Sequence, residues 1–418
     1  MGFRRRPARK TRPARTQTVE EKLLLTALMC LLAAGAVMVF SASSARTVLQ
    51  GTGDGTDYLV RYVAYGLVGV VVMQLIARQR LDVVARLTAP LLGVAFVLLL
   101  AVKVPGVGVE VNGARRWLGA GPLQFQPSEI MKLAVVLFCA KLLAERPQRA
   151  QRPRELVPLG AVAGAGVLLI ASQPDLGTAL VVAFATGALL FAAGVPMKVL
   201  GGVAGFGATA VMLFAMSAPY RRDRLMTFLD PWAHAADEGF QSVQGQIALG
   251  SGGLFGNGLG QSQAKNLFLP EAHTDFILAI VGEEIGVAGV LVLLFLYGLV
   301  AYAGLRVAKN ARGAYAKLVA AGLTSLVLCQ ATLNVFTVLG LAPLTGVPLP
   351  FISYGSTNLV VLLAGMGVLL NVARGGSAHL KAVPQGSRAR ERTDDRHRSG
   401  RHGGARRAGA GSRGRAAG

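Results

Sequence analysis

The sequence predicts an all-α polytopic membrane protein with about ten transmembrane helices. Of its 418 residues, 53% are hydrophobic and only 15% are charged, and the mean hydropathy is +0.50. These values exclude an ordinary soluble globular protein. Segments of about 20 apolar residues are needed to cross a bilayer. Ten candidates lie near 22–42, 58–77, 86–104, 127–145, 155–172, 176–194, 197–217, 274–305, 315–340 and 347–373.

Loop charge orients these segments. When the N-terminus and the C-terminus are both cytoplasmic, the short cytoplasmic loops are the basic ones, as the positive-inside rule requires. The large loop at about 217–273, between helices 7 and 8, is then extracytoplasmic. Arg115, Arg116 and the cluster that begins at Arg221 are outside cations, which the positive-inside bias disfavours. Another use for these cations, such as binding an anionic ligand, therefore becomes plausible.

The two tails carry most of the net charge of +22. Residues 1–22 hold eight Lys and Arg against two Glu, and residues 374–418 hold twelve against three acids. We interpret 1–21 and 375–418 as basic cytoplasmic tails near anionic lipid rather than nucleic-acid sites, and the C-terminal tail as disordered. The membrane domain is then 22–374. All three cysteines lie in apolar runs, which provides no disulfide framework and no metal spacing.

The first apolar run, Leu23–Phe40, follows a basic segment and precedes Ser41–Ala45. This pattern could be read as a signal peptide with a cleavage site. Because many more spans follow, an uncleaved first helix is the simpler interpretation.

The segment Val111–Leu133 predicts a small irregular hairpin that ends at a helix. Asn112-Gly113 is a turn signal, and Pro127 suits the first turn of a helix. Glu129 and Lys132 are three residues apart and can pair on that helix. The alternative to a binding role is a structural ion pair, with Trp117 as an interfacial anchor.

The large outside loop predicts two helical segments, Arg221–Pro231 and Glu238–Leu249. In the first, apolar residues share a face that could lie in the membrane interface. In the second, Phe240, Val243 and Ile247 have helical spacing. The glycine run Gly250–Gly260 that follows is either a flexible linker or a backbone able to approach a phosphate closely.

The stretch around Asp275 is the sharpest candidate for chemistry. Asp275 lies at the water end of the eighth span, where a titratable group can stay partly hydrated while it faces a buried substrate. The simpler alternative is that Thr274 or Asp275 only caps the helix. At about 100° per residue, Ala279, Gly282 and Gly286 lie on the same helical face as Asp275, which would allow another helix to approach closely.

Other polar groups near helix ends carry weaker signals. Glu283 and Glu284 lie further along the eighth span and are interpreted first as a structural polar network. His273 could shuttle a proton or bind a metal. Asp175 is expected to cap the sixth span. The proline-rich stretch Pro343–Leu359 should line protein or a water-filled cavity, because irregular backbone is tolerated at membrane depth only there.

Four motifs resemble those of the SEDS (shape, elongation, division, sporulation) family. They are RRWLGAGPLQFQPSE, QPDLGTA, PEAHTDF with the following GEEIG, and PLPFISYG, and their order and spacing also match. The resemblance covers roughly 22–374 and excludes the tails. One departure is Ser356-Thr357-Asn358, where the family commonly continues with Gly-Ser-Ser.

This resemblance implies a ten-helix glycosyltransferase that polymerises lipid II into peptidoglycan on the outer face of the bacterial cytoplasmic membrane. It implies a class B penicillin-binding protein as transpeptidase partner, and the sequence is more similar to the division branch of the family than to the elongation branch. The family's catalytic acid maps onto Asp275. We predict further substrate-binding residues at Arg115, Arg116, Trp117, Glu129, Lys132, Arg221, Lys265, His273, Glu283 and Ser353.

The hypothesis that follows is general-base catalysis by Asp275, with outside cations and a divalent cation (Mg or Mn) as candidates for stabilising a leaving pyrophosphate. Two alternatives remain open. Polytopic helices with buried acids also suit a lipid II flippase, although no inverted repeat is evident and the polar motifs gather on one side. A scaffold of the cell-division machinery is the third possibility.

Overall fold

The computed structural model describes residues 18–49, 51, 55–111, 113–120, 123–216, 219–237, 239–266 and 269–378. Twelve α-helices lie within these residues, in agreement with the predicted helical class. They are α1 (Val19–Leu49), α2 (Asp57–Arg78), α3 (Leu81–Val102), α4 (Pro127–Glu145), α5 (Pro153–Ala171), α6 (Leu176–Ala192), α7 (Met197–Met216), α8 (Pro219–Leu229), α9 (Phe240–Ser251), α10 (Ile277–Asn310), α11 (Ala314–Val338) and α12 (Ser356–Ala373). Residues 1–17 and 379–418 fall outside the described part, so the interpretation of both tails stays a prediction.

Each of the ten predicted spans corresponds to a helix. Among the described helices, seven are long and apolar enough to cross a membrane: α1, α2, α3, α5, α10, α11 and α12. The other three are α6 and α7, which are apolar but shorter over the described residues, and α4, which carries buried charges. The chain is therefore a multi-pass membrane protein, while the assignment of its cytoplasmic and outer faces stays a prediction.

The start of the tenth span was predicted wrongly. We expected it near residue 347, but α12 begins only at Ser356. Pro348 and Pro350 lack the N–H groups that a helix needs, and Phe351 has a positive φ of 64°. Residues 342–355 therefore form an irregular connection, which we call the proline segment.

The predicted hairpin is a three-stranded antiparallel sheet. Its strands are β1 (Gly108–Val111), β2 (Ala114–Ala120) and β3 (Leu123–Phe125), in the order β1-β2-β3. The chain passes from β3 into α4, whose first turn contains Pro127 as expected. The sheet thus fixes the position at which α4, with Glu129 and Lys132, enters the bundle.

Helix α11 forms the centre of the bundle. It contacts α4, α6, α10 and α12, while α12 also packs on α2 and α1 packs on α10. Most residues of α11 are buried, including the polar residues Gln330 and Asn334. Polar groups buried among apolar helices need partners within the protein. The elements that pack against α11 must therefore offer hydrogen-bonding groups to Gln330 and Asn334.

Both helices predicted in the large loop are present as α8 and α9. The buried residues of α9 include Val243, Gly245 and Ala248, whereas Ile247, which has helical spacing with Val243, is exposed. The reason is close packing through a small residue, since a Cβ at Gly245 would collide with the ring of Phe276.

Helix α10 is broken at Gly286, whose φ of 76° and ψ of −169° are not helical. In a continuous helix the N–H groups of residues 287 and 288 would bond to the carbonyls of residues 283 and 284. Backbone groups from the glycine run take their places. Asn257 N and Gly258 N donate to Glu283 O and Glu284 O at 2.9 and 3.0 Å, and Val287 N and Ala288 N donate to Gly253 O and Leu254 O at 3.0 and 3.1 Å.

This arrangement changes the interpretation of two glycine motifs. The glycine run lies against the backbone of α10, so it is neither a free linker nor, over Gly253–Gly258, a loop open to phosphate. The predicted strip of small residues is also not a continuous helical face. A Cβ at Gly282 would meet Leu249 of α9, and one at Gly286 would meet Leu254 and Gly256, so these glycines accommodate the large loop rather than another membrane-spanning helix.

We expect Gly256→Ala to lower stability by about 1–3 kcal/mol, because the residue has a positive φ of 79°. Its new Cβ would also collide with the backbone of Glu284 and Ile285. The measurement is thermal unfolding of the purified protein in detergent. Gly250→Ala is the control, because a Cβ there meets nothing within 4 Å, and equal unfolding temperatures for the two variants would contradict the role given to the loop.

Candidate active site

The proline segment is held inside the bundle by side chains from neighbouring helices. Its residues form turns and bends rather than a helix, so their carbonyl groups require partners from elsewhere. Side chains of three helices, α2, α10 and α11, donate to the carbonyl groups of four residues in the segment. Asn334 donates to Val347 O at 2.8 Å and Gln330 donates to Pro348 O at 2.9 Å. The hydroxyls of Tyr297 and Tyr62 donate to Pro350 O and Phe351 O, respectively. Within the segment, Leu349 N donates to Ser353 Oγ at 2.8 Å.

Two amide side chains on α11 connect this segment to the candidate catalytic residues. Gln330 and Asn334 are four residues apart, so they lie on one face of the helix. Asn334 Nδ2 donates to Asp275 O at 2.7 Å as well as to Val347 O. The backbone of Asp275 is therefore fixed against both α11 and the proline segment.

Asp275 does not cap the helix that follows it. The N-cap residue of α10 is Phe276, and no side chain caps that helix. The Asp275 carboxylate instead accepts a hydrogen bond from Thr274 Oγ1 at 2.8 Å. On its other side lies the proline segment, where a Cβ added at Gly346 would be 3.9 Å from Asp275 Oδ2.

The environment of Asp275 makes its carboxyl more basic than usual. Burial raises its pKa from 3.8 to about 6, the hydrogen bonds from Thr274 and the backbone oppose that rise, and the negative charge of Glu271 adds to it. Asp275 precedes the membrane-spanning part of α10 and is only partly buried. A carboxylate with this pKa is ionised at neutral pH and is a better proton acceptor than a free aspartate.

His273 belongs to an aromatic cluster next to Asp275. Its ring centroid lies 4.4 Å from that of Tyr58 and 5.8 Å from that of Tyr354. Its backbone carbonyl accepts from Tyr354 N at 3.0 Å. The cluster therefore joins the turn that carries Asp275 to α2 and to the end of the proline segment.

Glu129 and Lys132 form the predicted ion pair, with 2.7 Å between Nζ and Oε2, and both side chains are almost fully buried. Lys132 Nζ also donates to Gln330 Oε1 at 2.8 Å and to Asn358 Oδ1 at 3.4 Å. Because Gln330 bonds Pro348 O and Asn334 bonds Val347 O, a continuous polar path joins Lys132 to Asp275.

The start of α4 is tied to the turn before α6. Asp175 caps α6 as predicted, with Oδ1 accepting from Thr178 N at 3.2 Å. Its other oxygen, Oδ2, accepts from Gln126 Nε2 at 2.8 Å and from Ser128 Oγ at 3.0 Å. Arg116 donates to the carbonyl groups of the same turn, with 3.1 Å to Gln173 O. Arg116 therefore orders the loops at this end of the bundle.

The residues that depart from the family's usual motif make specific contacts. Thr357 Oγ1 accepts from Gln126 N at 3.1 Å, and Asn358 Oδ1 accepts from Gln330 Nε2 at 3.0 Å. The first contact joins the start of α12 to the residue that precedes α4. The second joins it to Gln330 in the polar path.

Glu283 and Glu284 lie in a second buried polar network. Lys265 Nζ donates to Glu284 Oε1 at 2.9 Å and to Ser41 Oγ at 3.2 Å. Glu283 accepts from Gln263 N at 2.8 Å and from the hydroxyl of Ser262. This arrangement agrees with the interpretation of the two glutamates as a structural network that fixes the large loop to α1 and α10.

A polar cavity of about 460 Å³ lies beside this second network. It leaves Lys265 adjacent to open space although its charge is already paired. The cavity is lined by Ser44, Val48, Gly260, Gln261, Ser262, Gln263, Lys265 and Asn266.

Within the described residues, no hydrogen bond or ion pair joins the remaining predicted binding residues to Asp275. Arg115 pairs with Glu110 across the sheet at 3.1 Å, and both side chains are about half exposed. Trp117 is partly buried in β2. Arg221 lies in α8, but its side chain is outside the described part of the structure. Ser353 uses its hydroxyl to bond the backbone of the proline segment.

No group of three or more His, Cys, Asp or Glu within the described residues could hold a metal ion. The side chains around Asp275 therefore do not provide a metal site of their own. The prediction of a divalent cation stays untested, and no catalytic step is derived through it.

Sequence reasoning missed the residues that position Asp275. It weighed the charged and histidine side chains but not Gln330, Asn334 or Thr274 as bonding partners. A signal was available, because Gln330 and Asn334 are polar residues four apart within an otherwise apolar span. Their partners, however, could not be read from the sequence.

Comparisons with known proteins agree on one family. The family model FtsW/RodA/SpoVE, described as cell cycle protein, matches residues 21–377. Stage V sporulation protein E of Bacillus subtilis is 37% identical over 86% of this chain and 98% of its own. The probable peptidoglycan glycosyltransferase FtsW of Thioalkalivibrio sulfidiphilus is 39% identical over 84% of this chain and 88% of its own.

Solved structures give the same result. A chain of a peptidoglycan synthase complex that coordinates polymerization and crosslinking has a TM-score of 0.69 and 30% identity, covering 85% of this chain and 98% of its own. The rod shape determining protein RodA of Thermus thermophilus has a TM-score of 0.63 and 30% identity, covering 85% of this chain and 97% of its own.

We expect Asn334→Leu to destabilise the protein by about 1–3 kcal/mol, the typical cost of leaving buried polar groups without their partner. The substitution removes the donor to both Asp275 O and Val347 O. Unfolding temperature in detergent is the measurement. Thr332→Val is the matched control, because Thr332 is exposed on the same helix. An Asn334→Leu protein as stable as this control would contradict the positioning role.

Proposed function

This chain belongs to the FtsW/RodA/SpoVE family of cell cycle proteins, and from that membership we propose that it is a peptidoglycan glycosyltransferase. Several relatives carry that name, and a chain of a peptidoglycan synthase complex shares its fold. The substrate is lipid II, which the enzyme polymerises into glycan strands at the outer face of the cytoplasmic membrane during division. A role in elongation is the nearest alternative, since RodA is also similar in structure.

The single observation that best supports this function is the placement of Asp275. It is a partly buried carboxylate at the start of a membrane helix, its pKa is raised to about 6, and its backbone is fixed by Asn334. Lipid II presents its sugars at the membrane surface while its lipid stays in the bilayer. A base at this depth can therefore meet the sugars of a lipid-linked substrate.

In the proposed reaction the Asp275 carboxylate removes the proton from the 4-hydroxyl of the acceptor GlcNAc. The resulting oxygen attacks the anomeric carbon of the donor MurNAc from the face opposite the pyrophosphate, so the configuration inverts. The bond between that carbon and the pyrophosphate oxygen breaks, and undecaprenyl pyrophosphate leaves with the electron pair. General-base assistance of this kind contributes roughly 10²–10⁴-fold to the rate.

The leaving pyrophosphate requires positive charge nearby. We propose Arg116 as the first candidate, because its guanidinium is held by the carbonyl groups of Gln173 and Pro174, and Arg115, Arg221 and Lys265 as further candidates. Lys132 is buried and bonds both Glu129 and Gln330, so its proposed role is to hold the polar path. A divalent cation would be held by the pyrophosphate rather than by a protein ligand set.

A class B penicillin-binding protein is the proposed partner, because a related chain occurs in a complex that coordinates polymerization and crosslinking. Lipid II polymerisation by the purified protein, with and without such a transpeptidase, is the direct test of the proposed function.

Asp275→Asn should reduce lipid II polymerisation by roughly 10²–10⁴-fold, because an amide cannot accept the proton. The assay is the length of labelled glycan strands made by the purified protein with its partner. Asp237→Asn, an exposed acid of the same large loop, should remain active. A folded Asp275→Asn protein that makes strands of wild-type length would overturn the assignment of the base.

The same variant separates the enzyme from a flippase. If Asp275 serves only chemistry, Asp275→Asn retains lipid II translocation in vesicles but loses polymerisation. Loss of translocation with retained polymerisation would favour the flippase. Normal division by cells that carry only this variant would favour a scaffold.

The pKa of Asp275 predicts the pH dependence of activity. Because the base must be ionised, kcat/KM should fall as the pH is lowered through about 6. The measurement is the initial rate of lipid II polymerisation between pH 5 and pH 8. An acidic limb near 4, the range of an ordinary aspartate, would contradict the proposed environment.

Stability should change in the opposite sense. A raised pKa means that the folded state disfavours the ionised carboxylate, so the contribution of Asp275 to stability is present below about 4 and is lost as the pH rises through about 6. Asp275→Asn should therefore be more stable than the wild type at pH 7.5, by up to about 3 kcal/mol, and this gain should vanish toward pH 4. Unfolding temperatures at the two pH values provide the measurement and also establish that the inactive variant is folded.

A further inference from the structure

We propose that Glu271 is the outlet for the proton that Asp275 removes from the acceptor, and that the hydroxyl of Thr274 passes it between them. This inference rests on the proposed role of Asp275 as the base. It assigns functions to Glu271 and Thr274, which lie in the turn before α10. Neither residue needs to contact the substrate.

The first observation is that one hydroxyl lies between two carboxyl groups. Thr274 Oγ1 is 2.8 Å from Asp275 Oδ1 and 3.2 Å from Glu271 Oε2. A threonine hydroxyl has one hydrogen to donate, although its oxygen can also accept. Two ionised carboxylates would therefore leave one of these contacts without a hydrogen.

The geometry fits a state in which the two carboxyls share one proton. Either Asp275 accepts from Thr274 while a protonated Glu271 donates to Thr274, or a protonated Asp275 donates to Thr274 while Thr274 donates to Glu271. Both arrangements satisfy both contacts. They interconvert when one hydrogen moves between Asp275 and Thr274 and a second moves between Thr274 and Glu271.

The second observation is the backbone that brings Glu271 to this position. Glu271 has a positive φ of 52°, which is uncommon for a residue other than glycine and marks a constrained site. Its carbonyl accepts from Thr274 N at 3.1 Å and also lies 3.0 Å from Thr274 Oγ1. This tight turn holds the two side chains together.

The third observation is access to water. Glu271 and Asp275 are both partly exposed, and the groups of other elements that lie nearest to Asp275 are uncharged. Asn334 faces it from α11 and Gly346 from the proline segment. His273 and Tyr354 lie in the adjacent aromatic cluster, where Arg61 bonds the Tyr354 hydroxyl. Glu271 is thus the acid whose negative charge acts on Asp275, and its partly exposed side chain reaches solvent.

The steps balance within one catalytic cycle. Asp275 takes the proton of the acceptor hydroxyl as the glycosidic bond forms and the pyrophosphate leaves. Asp275 then passes a hydrogen to Thr274 Oγ1 while Thr274 passes its own to Glu271 Oε2. Glu271 releases that proton to water, which leaves both carboxyls ionised and returns Asp275 to the form that can act as a base.

The test compares Thr274→Val, Thr274→Ser and Glu271→Gln in lipid II polymerisation from pH 5 to pH 8, with unfolding temperatures measured in parallel. Thr274→Val and Glu271→Gln should each lower kcat by up to about 100-fold, the lower end of what positioned proton transfer contributes. Thr274→Ser should restore it, because serine keeps the hydroxyl.

The acidic limbs of the pH profiles should move in opposite directions. Thr274→Val removes a hydrogen bond that favours the ionised Asp275, so its limb should move to higher pH. Glu271→Gln removes a neighbouring negative charge, so its limb should move to lower pH. A purely structural defect would lower the rate without producing this pair of shifts.

If Glu271→Gln does not fold, Glu271→Gly provides the same test, because glycine adopts a positive φ without strain. Wild-type kcat and unmoved acidic limbs in Glu271→Gln or Glu271→Gly, together with an inactive Asp275→Asn, would overturn the relay but leave the base in place. An active Asp275→Asn would instead overturn the proposed function itself.

Discussion

The need to satisfy backbone carbonyl groups inside a helix bundle governs this structure. Between α11 and α12 the chain runs through the proline segment without forming a helix, so its carbonyls have no intrahelical donors. Tyrosine hydroxyls from α2 and α10 and two amides from α11 supply the missing bonds. Because each donor comes from a different position in the bundle, the segment can occupy only one place, and it fixes the helices around it.

The position of the candidate base, Asp275, depends on the same hydrogen bonds. Asn334 uses one amide group for both the proline segment and the backbone of Asp275. Gln330, one turn earlier, bonds both the segment and the buried pair of Lys132 and Glu129. The cost of burying these polar groups is offset only when every partner is present. Local order at Asp275 therefore depends on α4, α11 and α12 together.

The break in α10 applies the same principle at a second position. At Gly286 four backbone groups lose their helical partners, and the glycine run of the large loop provides a new partner for each of the four. The buried network of Lys265 with Glu284 holds the same loop to α1. The large loop is thus part of the membrane domain, and its attachment determines where the turn before α10, with Glu271 and Asp275, is placed.

Local sequence patterns predicted the helical membrane class, the approximate positions of ten helices, the hairpin before α4, the Asp175 cap and the pairing of Glu129 with Lys132, and they pointed to Asp275 as the candidate base. These features depend on local composition, on spacing along one helix, or on a recognisable motif. The contacts of Asp275, the late start of α12 at Ser356 and the completion of a broken helix by the glycine run emerged from the folded structure alone. Each of these depends on hydrogen bonds between residues far apart in the chain, such as Asn334 with Asp275 or Asn257 with Glu283. Periodicity reports which face of an element is apolar, whereas the partner of an unsatisfied backbone or amide group is chosen by packing.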